Sequence, residues 1–219
     1  MGNIQINDTL DNVLRSARLH LRKDPVMAKL IRAHPNFNPR AWLDELPAMN
    51  AFGALVFQVA GQQLSVKATR KILERLQAHF GGKMPSPRQL LKLGSTQLRN
   101  IGFSARKVST LRILAQRFAE GSLSQGQLEK LSDQEIMELL TAIPGVGPWT
   151  VQGVLIIALG RMDVVLPGDL ALRKAIKETY ALDRLPTQDE VVTLSEAWRP
   201  YRSVATAYLF QSTFGEKSI

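Results

Sequence analysis

Cysteine is absent from the 219 residues. That excludes a disulfide framework, a Cys-based zinc site, a Cys-ligated iron–sulfur cluster and a thiol nucleophile. Histidine is scarce. His20, His34 and His79 stand at no ligand spacing, so a metal enzyme is not expected. Long apolar runs are also missing. The longest, Val154–Leu159, falls far short of the about 20 residues a membrane helix needs. The opening residues, MGNIQINDTL, lack the basic-then-apolar pattern of a signal peptide, and Ile6 stands where a myristoylation motif needs Ser or Thr. Strand signals are weak, and the best, Asp163–Leu166, is too short to carry a sheet. A soluble, cytoplasmic protein without a membrane partner is expected.

What is present is ordinary in amount and uneven in place. At 24.3 kDa and 45% hydrophobic content the chain can bury a core without a staple. The net charge is +9. Residues 61–120 carry twelve basic side chains against Glu74 and Glu120, a net +10, and the remainder is near neutral at −1. Clustered charge of one sign is the footprint of a polyanion partner or a solvated basic face.

The chain reads as helix throughout. Leu10, Val13, Leu14, Ala17 and Leu21 recur at helical spacing. Phe52–Val59 is apolar nearly all round, as a buried helix is. Leu64–Phe80 turns Ile72, Leu73, Leu76 and Phe80 inward, and Ser104–Phe118 repeats the scheme. Ser132–Glu135 and Thr187–Glu190 are capping boxes. No break is long enough for a disordered linker, so one all-α unit, with two lobes at most, is expected.

The chemistry concentrates in residues 139–153. A helix from Ser132 ends near Ala142, Pro144-Gly-Val-Gly147 turns the chain, and a second helix starts at Pro148, where proline suits the first helical position. Two glycines two apart permit positive φ and leave the backbone bare. The amides of Gly145, Val146 and Gly147 can then converge at a helix N-terminus and hold a phosphate. Such capture is independent of base sequence. Downstream, Asp169 precedes an apolar-periodic helix, where it serves as an N-cap or as a carboxylate presented to a substrate.

The helix–hairpin–helix, the Gly/Pro-rich loop and the following Asp169 resemble the helix–hairpin–helix DNA glycosylases. Within them the chain is most similar to the 3-methyladenine DNA glycosylase II type. Ala60–Val66, Leu98–Lys107, Ile143–Thr150 and Trp198–Ser203 carry the likeness, which runs from about residue 45 to the C-terminus. The resemblance implies an all-α, two-lobed helix–hairpin–helix fold with the active-site cleft between lobes, approximately 50–160 and 1–49 plus 161–219. It implies excision of alkylated bases from duplex DNA by a monomer, nucleoid-associated if bacterial. Base extrusion is required because the reacting atoms are hidden in the stack.

Residue by residue, the resemblance puts Asp169 on the catalytic aspartate. Gln63 or its neighbour Leu64 falls on the wedge that fills the gap left by the flipped base. Trp149 and Phe210 fall on the base pocket, or are plain core aromatics. Gly145, Val146, Gly147, Thr150, Arg106 and Lys107 fall on the DNA backbone contacts. Trp198, Tyr201 and Arg202 match a branch motif and read as packing and loop-anchoring residues. No cofactor is required, but the hairpin is expected to hold Na+ or K+ through the carbonyls of Thr141, Ile143 and Val146.

Two departures refine the picture. Bifunctional relatives carry a lysine just after the hairpin for a Schiff base, and here Gly147 is followed by Pro148, Trp149 and Thr150. The endonuclease III branch carries four C-terminal cysteines, and this chain has none. Gly153 and Gly168 stand where some alkylation enzymes have an aromatic and a second acid. A roomier pocket is expected, one that takes less typical bases such as N1-methyladenine or N3-methylcytosine. The competing reading is a non-catalytic helix–hairpin–helix DNA-binding protein.

Overall fold

The computed structural model describes residues 2–43, 46, 47 and 49–215. Among them are thirteen α-helices, two short 3-10 helices and no strand. In chain order the α-helices are α1 (Gly2–Leu21), α2 (Pro25–Ala33), α3 (Ala51–Gly61), α4 (Val66–Ala78), α5 (Pro87–Lys92), α6 (Ser95–Ile101), α7 (Ala105–Glu120), α8 (Gln125–Lys130), α9 (Asp133–Thr141), α10 (Pro148–Ile157), α11 (Leu170–Thr179), α12 (Gln188–Ser195) and α13 (Arg202–Phe214). The chain packs as two compact units, one of Asp44–Gly160 and one of Met1–Leu43 with Arg161–Ile219. No helix among the described residues is long and apolar enough to cross a membrane.

The continuous unit is built around α3. Its residues are buried on every side, as a helix without a polar stripe must be. Helices α4, α7 and α10 pack on it. Ile72, Leu73 and Leu76 face inward from α4. Phe80 lies beyond the end of α4 in a turn and is only half-buried. From α7, Val108, Leu111 and Leu114 are buried, and Phe118 meets the ring of Phe52 at 5.4 Å. The box at Ser132 starts α9: Ser132 accepts the Glu135 amide, and Glu135 accepts the Ser132 amide at 2.8 Å.

The discontinuous unit packs α1, α2 and α11 against α13. Its most buried large side chain is Trp198. Asp24 joins three elements there. Its Oδ1 accepts the Val26 and Met27 amides and caps α2. Its Oδ2 accepts the Tyr180 hydroxyl at 2.6 Å and the Trp198 indole N–H at 3.4 Å. Burial, with the Asp24 carboxylate beside it, pushes the Tyr180 phenol well above its ordinary range, so it stays a donor.

The segment expected as the best strand, Asp163–Leu166, is a loop. Val164 and Val165 are buried, but side chains replace a partner strand. The Ser203 hydroxyl accepts the Val164 amide at 3.1 Å and lies 3.0 Å from the Arg161 carbonyl. Arg202 donates to the Asp163 carboxylate at 2.7 Å and to its carbonyl at 2.7 Å. Arg199 reaches the same carboxylate at 3.0 Å. The Trp198–Ser203 motif therefore clamps the loop that leads to Asp169.

Removing the shared acceptor tests the Asp24 hub. Asp24→Ala leaves the Tyr180 hydroxyl without its acceptor, leaves the Trp198 indole only its 3.1 Å bond to the Tyr180 oxygen, and uncaps α2. A loss of about 3 kcal/mol is expected, read as a lower denaturant midpoint at unchanged slope.

Candidate active site and nucleic-acid interface

The hairpin is a four-residue turn closed by its own backbone. The Val146 amide donates to the Ile143 carbonyl at 3.0 Å, and Gly145 sits at φ +89°. Proline second and glycine third is the type II pattern. Thr110, buried on α7, donates to the Pro144 carbonyl at 2.9 Å. It lies so close to Gly145 that a Cβ there would overlap its hydroxyl. Gln62 holds the other side: its Nε2 donates to the Gly145 carbonyl at 2.9 Å and to the Thr150 hydroxyl at 2.9 Å. Helix α10 then begins at Pro148, and its N-cap, Gly147, offers no side-chain bond, whereas Ser132 caps α9 and Asp169 caps α11.

Three expected backbone contacts are corrected here. The Val146 amide closes the turn, so Gly145 and Gly147 supply the amides that have no acceptor among the described residues. Thr150 is 1% exposed and its hydroxyl accepts from Gln62, so it braces the hairpin from inside. Lys107 also points inward. Its ammonium donates to the Ala60 carbonyl at 2.8 Å and the Gln62 carbonyl at 2.9 Å, closing the C-terminus of α3. Burial draws its pKa down. Arg106, one residue earlier, is exposed and remains a phosphate candidate.

The turn after α3 carries the two wedge candidates, Gln63 and Leu64. The Leu64 amide donates to the Gly61 carbonyl at 3.1 Å, Gln62 sits at φ −52°, and Gln63 is at φ +57°. A non-glycine residue in this left-handed region costs about 1–2 kcal/mol. The strain leaves Gln63 exposed and Leu64 42% exposed on the surface. Gln62 and Lys107 hold this turn and the phosphate hairpin as one braced piece.

Asp169 is the N-cap of α11, and its Oδ1 accepts the Leu172 amide at 2.9 Å. It is half-buried. Phe210, half-buried on α13, packs near Phe214 with ring centroids 6.1 Å apart. Trp149, half-buried on α10, has its ring edge beside Gly61. Asp169 and Phe210 belong to the discontinuous unit; Trp149, the hairpin and the wedge turn belong to the continuous one.

The vacancy expected at Gly153 does not exist. The Gln58 side chain fills it, and a Cβ on Gly153 would overlap the Gln58 amide. At Gly168 a Cβ would meet Gln188 only at ordinary contact, 3.7 Å. As to a cation, the carbonyls of Thr141, Ile143 and Val146 bracket the turn. The Thr141 hydroxyl bonds back to the Met137 carbonyl at 2.7 Å and competes for none of them.

Sequence reasoning missed Gln62, Thr110, Gln58 and Asp163. Gln62 lies within the Ala60–Val66 stretch, whose sequence puts the wedge on its neighbour. Thr110 carried only its place on the inward face of α7.

The HhH-GPD superfamily of base excision DNA repair proteins matches residues 56–200. The chain is 30% identical over 213 residues to a protein of Schizosaccharomyces pombe named DNA-3-methyladenine glycosylase 1, covering 96% of this chain and 92% of that one. It is 34% identical over 169 residues to a putative DNA-3-methyladenine glycosylase of Bacillus subtilis, covering 74% and 59%. A solved structure of the 3-methyladenine DNA glycosylase of Schizosaccharomyces pombe, in complex with abasic DNA, superposes with a TM-score of 0.81. It has 31% identity and covers 90% of this chain and 96% of that one.

Two adjacent cations should respond oppositely to removal. Lys107→Met strips donors from two carbonyls at the end of α3 and should cost about 2 kcal/mol, whereas Arg106→Ala should stay within about 0.5 kcal/mol. Equal denaturant midpoints for the two variants would contradict the inward brace.

Proposed function

Because the chain belongs to the HhH-GPD superfamily of base excision DNA repair proteins, we propose that it is a monofunctional alkylbase DNA glycosylase. It flips 3-methyladenine, 7-methylguanine and related bases out of duplex DNA and hydrolyses their N-glycosidic bonds. The relatives named as 3-methyladenine glycosylases support catalysis over the non-catalytic DNA-binding alternative. The observation that carries the reading is the hairpin. Its internal bonds are satisfied by Thr110 and Gln62, while the Gly145 and Gly147 amides at an uncapped helix start have no acceptor among the described residues. That is a phosphodiester site by donor count and by dipole.

The steps follow from the groups present. Gly145 and Gly147 hold one phosphate, and exposed Arg106 adds a charge to the neighbouring backbone. Gln63 and Leu64, presented by the strained turn, enter the stack and replace the extruded base. Trp149 and Phe210 each offer an aromatic face suited to a base made electron-poor by alkylation. Methylation at N3 or N7 leaves the purine cationic, so it departs with the glycosidic electron pair without prior protonation. The Asp169 carboxylate stabilises the oxocarbenium sugar and directs water to C1′. The products are a free base and an abasic site. Pro148 after the hairpin supplies no amine, so no Schiff base forms and the strand stays intact.

The hairpin carbonyls fit a monovalent cation. Those of Thr141 and Val146 accept no hydrogen bond among the described residues, and hard oxygen donors at a helix C-terminus suit Na+ or K+. Bound there, the ion would add positive charge beside the phosphate. The enzyme acts as a monomer in the compartment that holds the DNA, the cytoplasm in a bacterium.

Asp169→Asn separates capping from catalysis, because asparagine caps a helix as well as aspartate does. Stability should stay within about 0.5 kcal/mol, and duplex binding should persist. Release of 3-methyladenine from methylated DNA should fall by about 10²-fold or more. Release at the wild-type rate would overturn the assignment. Independently, Arg106→Ala should lower the log K against log salt slope by about 0.9 and weaken damaged and undamaged duplex alike.

A further inference from the structure

Helix α3 contains one polar side chain among its buried residues, Gln58, which is 6% exposed. Its Oε1 has no hydrogen-bond partner. A buried amide oxygen left unpaired costs about 1–3 kcal/mol, and an apolar side chain would avoid that cost. The position opposite is equally unusual. Gly153 offers no Cβ, and the amide lies directly against the bare backbone of α10.

Two neighbouring rungs of the α3–α10 packing set the place. Gln58 faces Gly153, and Gly61 faces the ring edge of Trp149. Residues three and four apart share a helix face. Gln58 and Gly61 are three apart on α3, and Trp149 and Gly153 are four apart on α10. The Gln58 amide therefore lies one rung of this packing along from the contact between Gly61 and the Trp149 ring.

We propose that Gln58 is a specificity residue whose Oε1 accepts a hydrogen bond from the exocyclic amine of an extruded alkyladenine. This rests on the alkylbase glycosylase reading and on Trp149 as a wall of the base site. The chemistry discriminates between the two commonest methylated purines. Adenine presents an N6 amine, a donor, where guanine presents O6, an acceptor. A fixed acceptor gains a bond with 3-methyladenine and faces a second acceptor in 7-methylguanine. The glutamine thus occupies the space that Gly153 would otherwise leave empty and gives the site a preference for purines with an amine rather than a carbonyl at C6.

The test is single-turnover release of 3-methyladenine and 7-methylguanine from methylated duplex DNA by the full chain. Wild type, Gln58→Met and Gln58→Ala are compared, and thermal midpoints are recorded beside them. Methionine keeps the volume and removes the acceptor; alanine removes both. The proposal expects the ratio of 3-methyladenine to 7-methylguanine rates to fall about tenfold in both variants, the equivalent of one charge-assisted hydrogen bond. The methionine midpoint should be unchanged or raised. An unchanged ratio with a raised midpoint would show a merely structural amide and overturn the proposal. An equal fall for both bases would also overturn it, since it marks general disturbance. Wild type releasing neither base would instead defeat the glycosylase reading itself.

Discussion

The turn at Ile143–Val146 is the constraint on which the interface depends. Gly145 at φ +89° against the Thr110 hydroxyl admits no side chain, on grounds of both conformation and space. Closing the turn uses the Val146 amide, and Gln62 and Thr110 secure the Gly145 and Pro144 carbonyls. The Ile143, Pro144 and Gly145 carbonyls are thus satisfied from within, and the Gly145 and Gly147 amides are left open. An anion can bind without the loop rearranging, so the ordering cost is met during folding rather than at each encounter.

The same side chains connect that hairpin to the wedge turn. Gln62 lends its carbonyl to Lys107 and its amide to the hairpin. The left-handed Gln63 next to it persists because both flanks are held, which is how local strain survives at functional positions. In the other unit Asp169 caps α11, which fixes its carboxylate in place, and the Arg202–Asp163 and Ser203 clamp fixes the loop before it. The hydrogen bonds that stabilise this segment also hold the carboxylate proposed to act on the sugar.

Much of this was legible locally. Ser132, Thr187 and Ser104 announced helix starts that the structure keeps, because a cap needs only a few adjacent residues. Pro144, Gly145 and Pro148 announced the hairpin for the same reason. Tertiary partners were not legible. Lys107 near a helix start reads as a solvent or phosphate contact, but its acceptors lie 45 and 47 residues back. Thr150 reads as a phosphate ligand until Gln62 is placed on it. Two consecutive glutamines give no sign of which turns inward; the Gly61–Leu64 turn decides it. Gly153 reads as room in a pocket, and only the packing of α3 on α10 shows Gln58 filling that room.

Backbone capture is most directly tested by following the amide resonances of the hairpin as short duplex DNA containing an abasic site is added. The account predicts large, salt-sensitive shifts at Gly145 and Gly147 and a small one at Val146, whose proton already binds the Ile143 carbonyl. Saturating DNA that leaves Gly145 and Gly147 unshifted would contradict it.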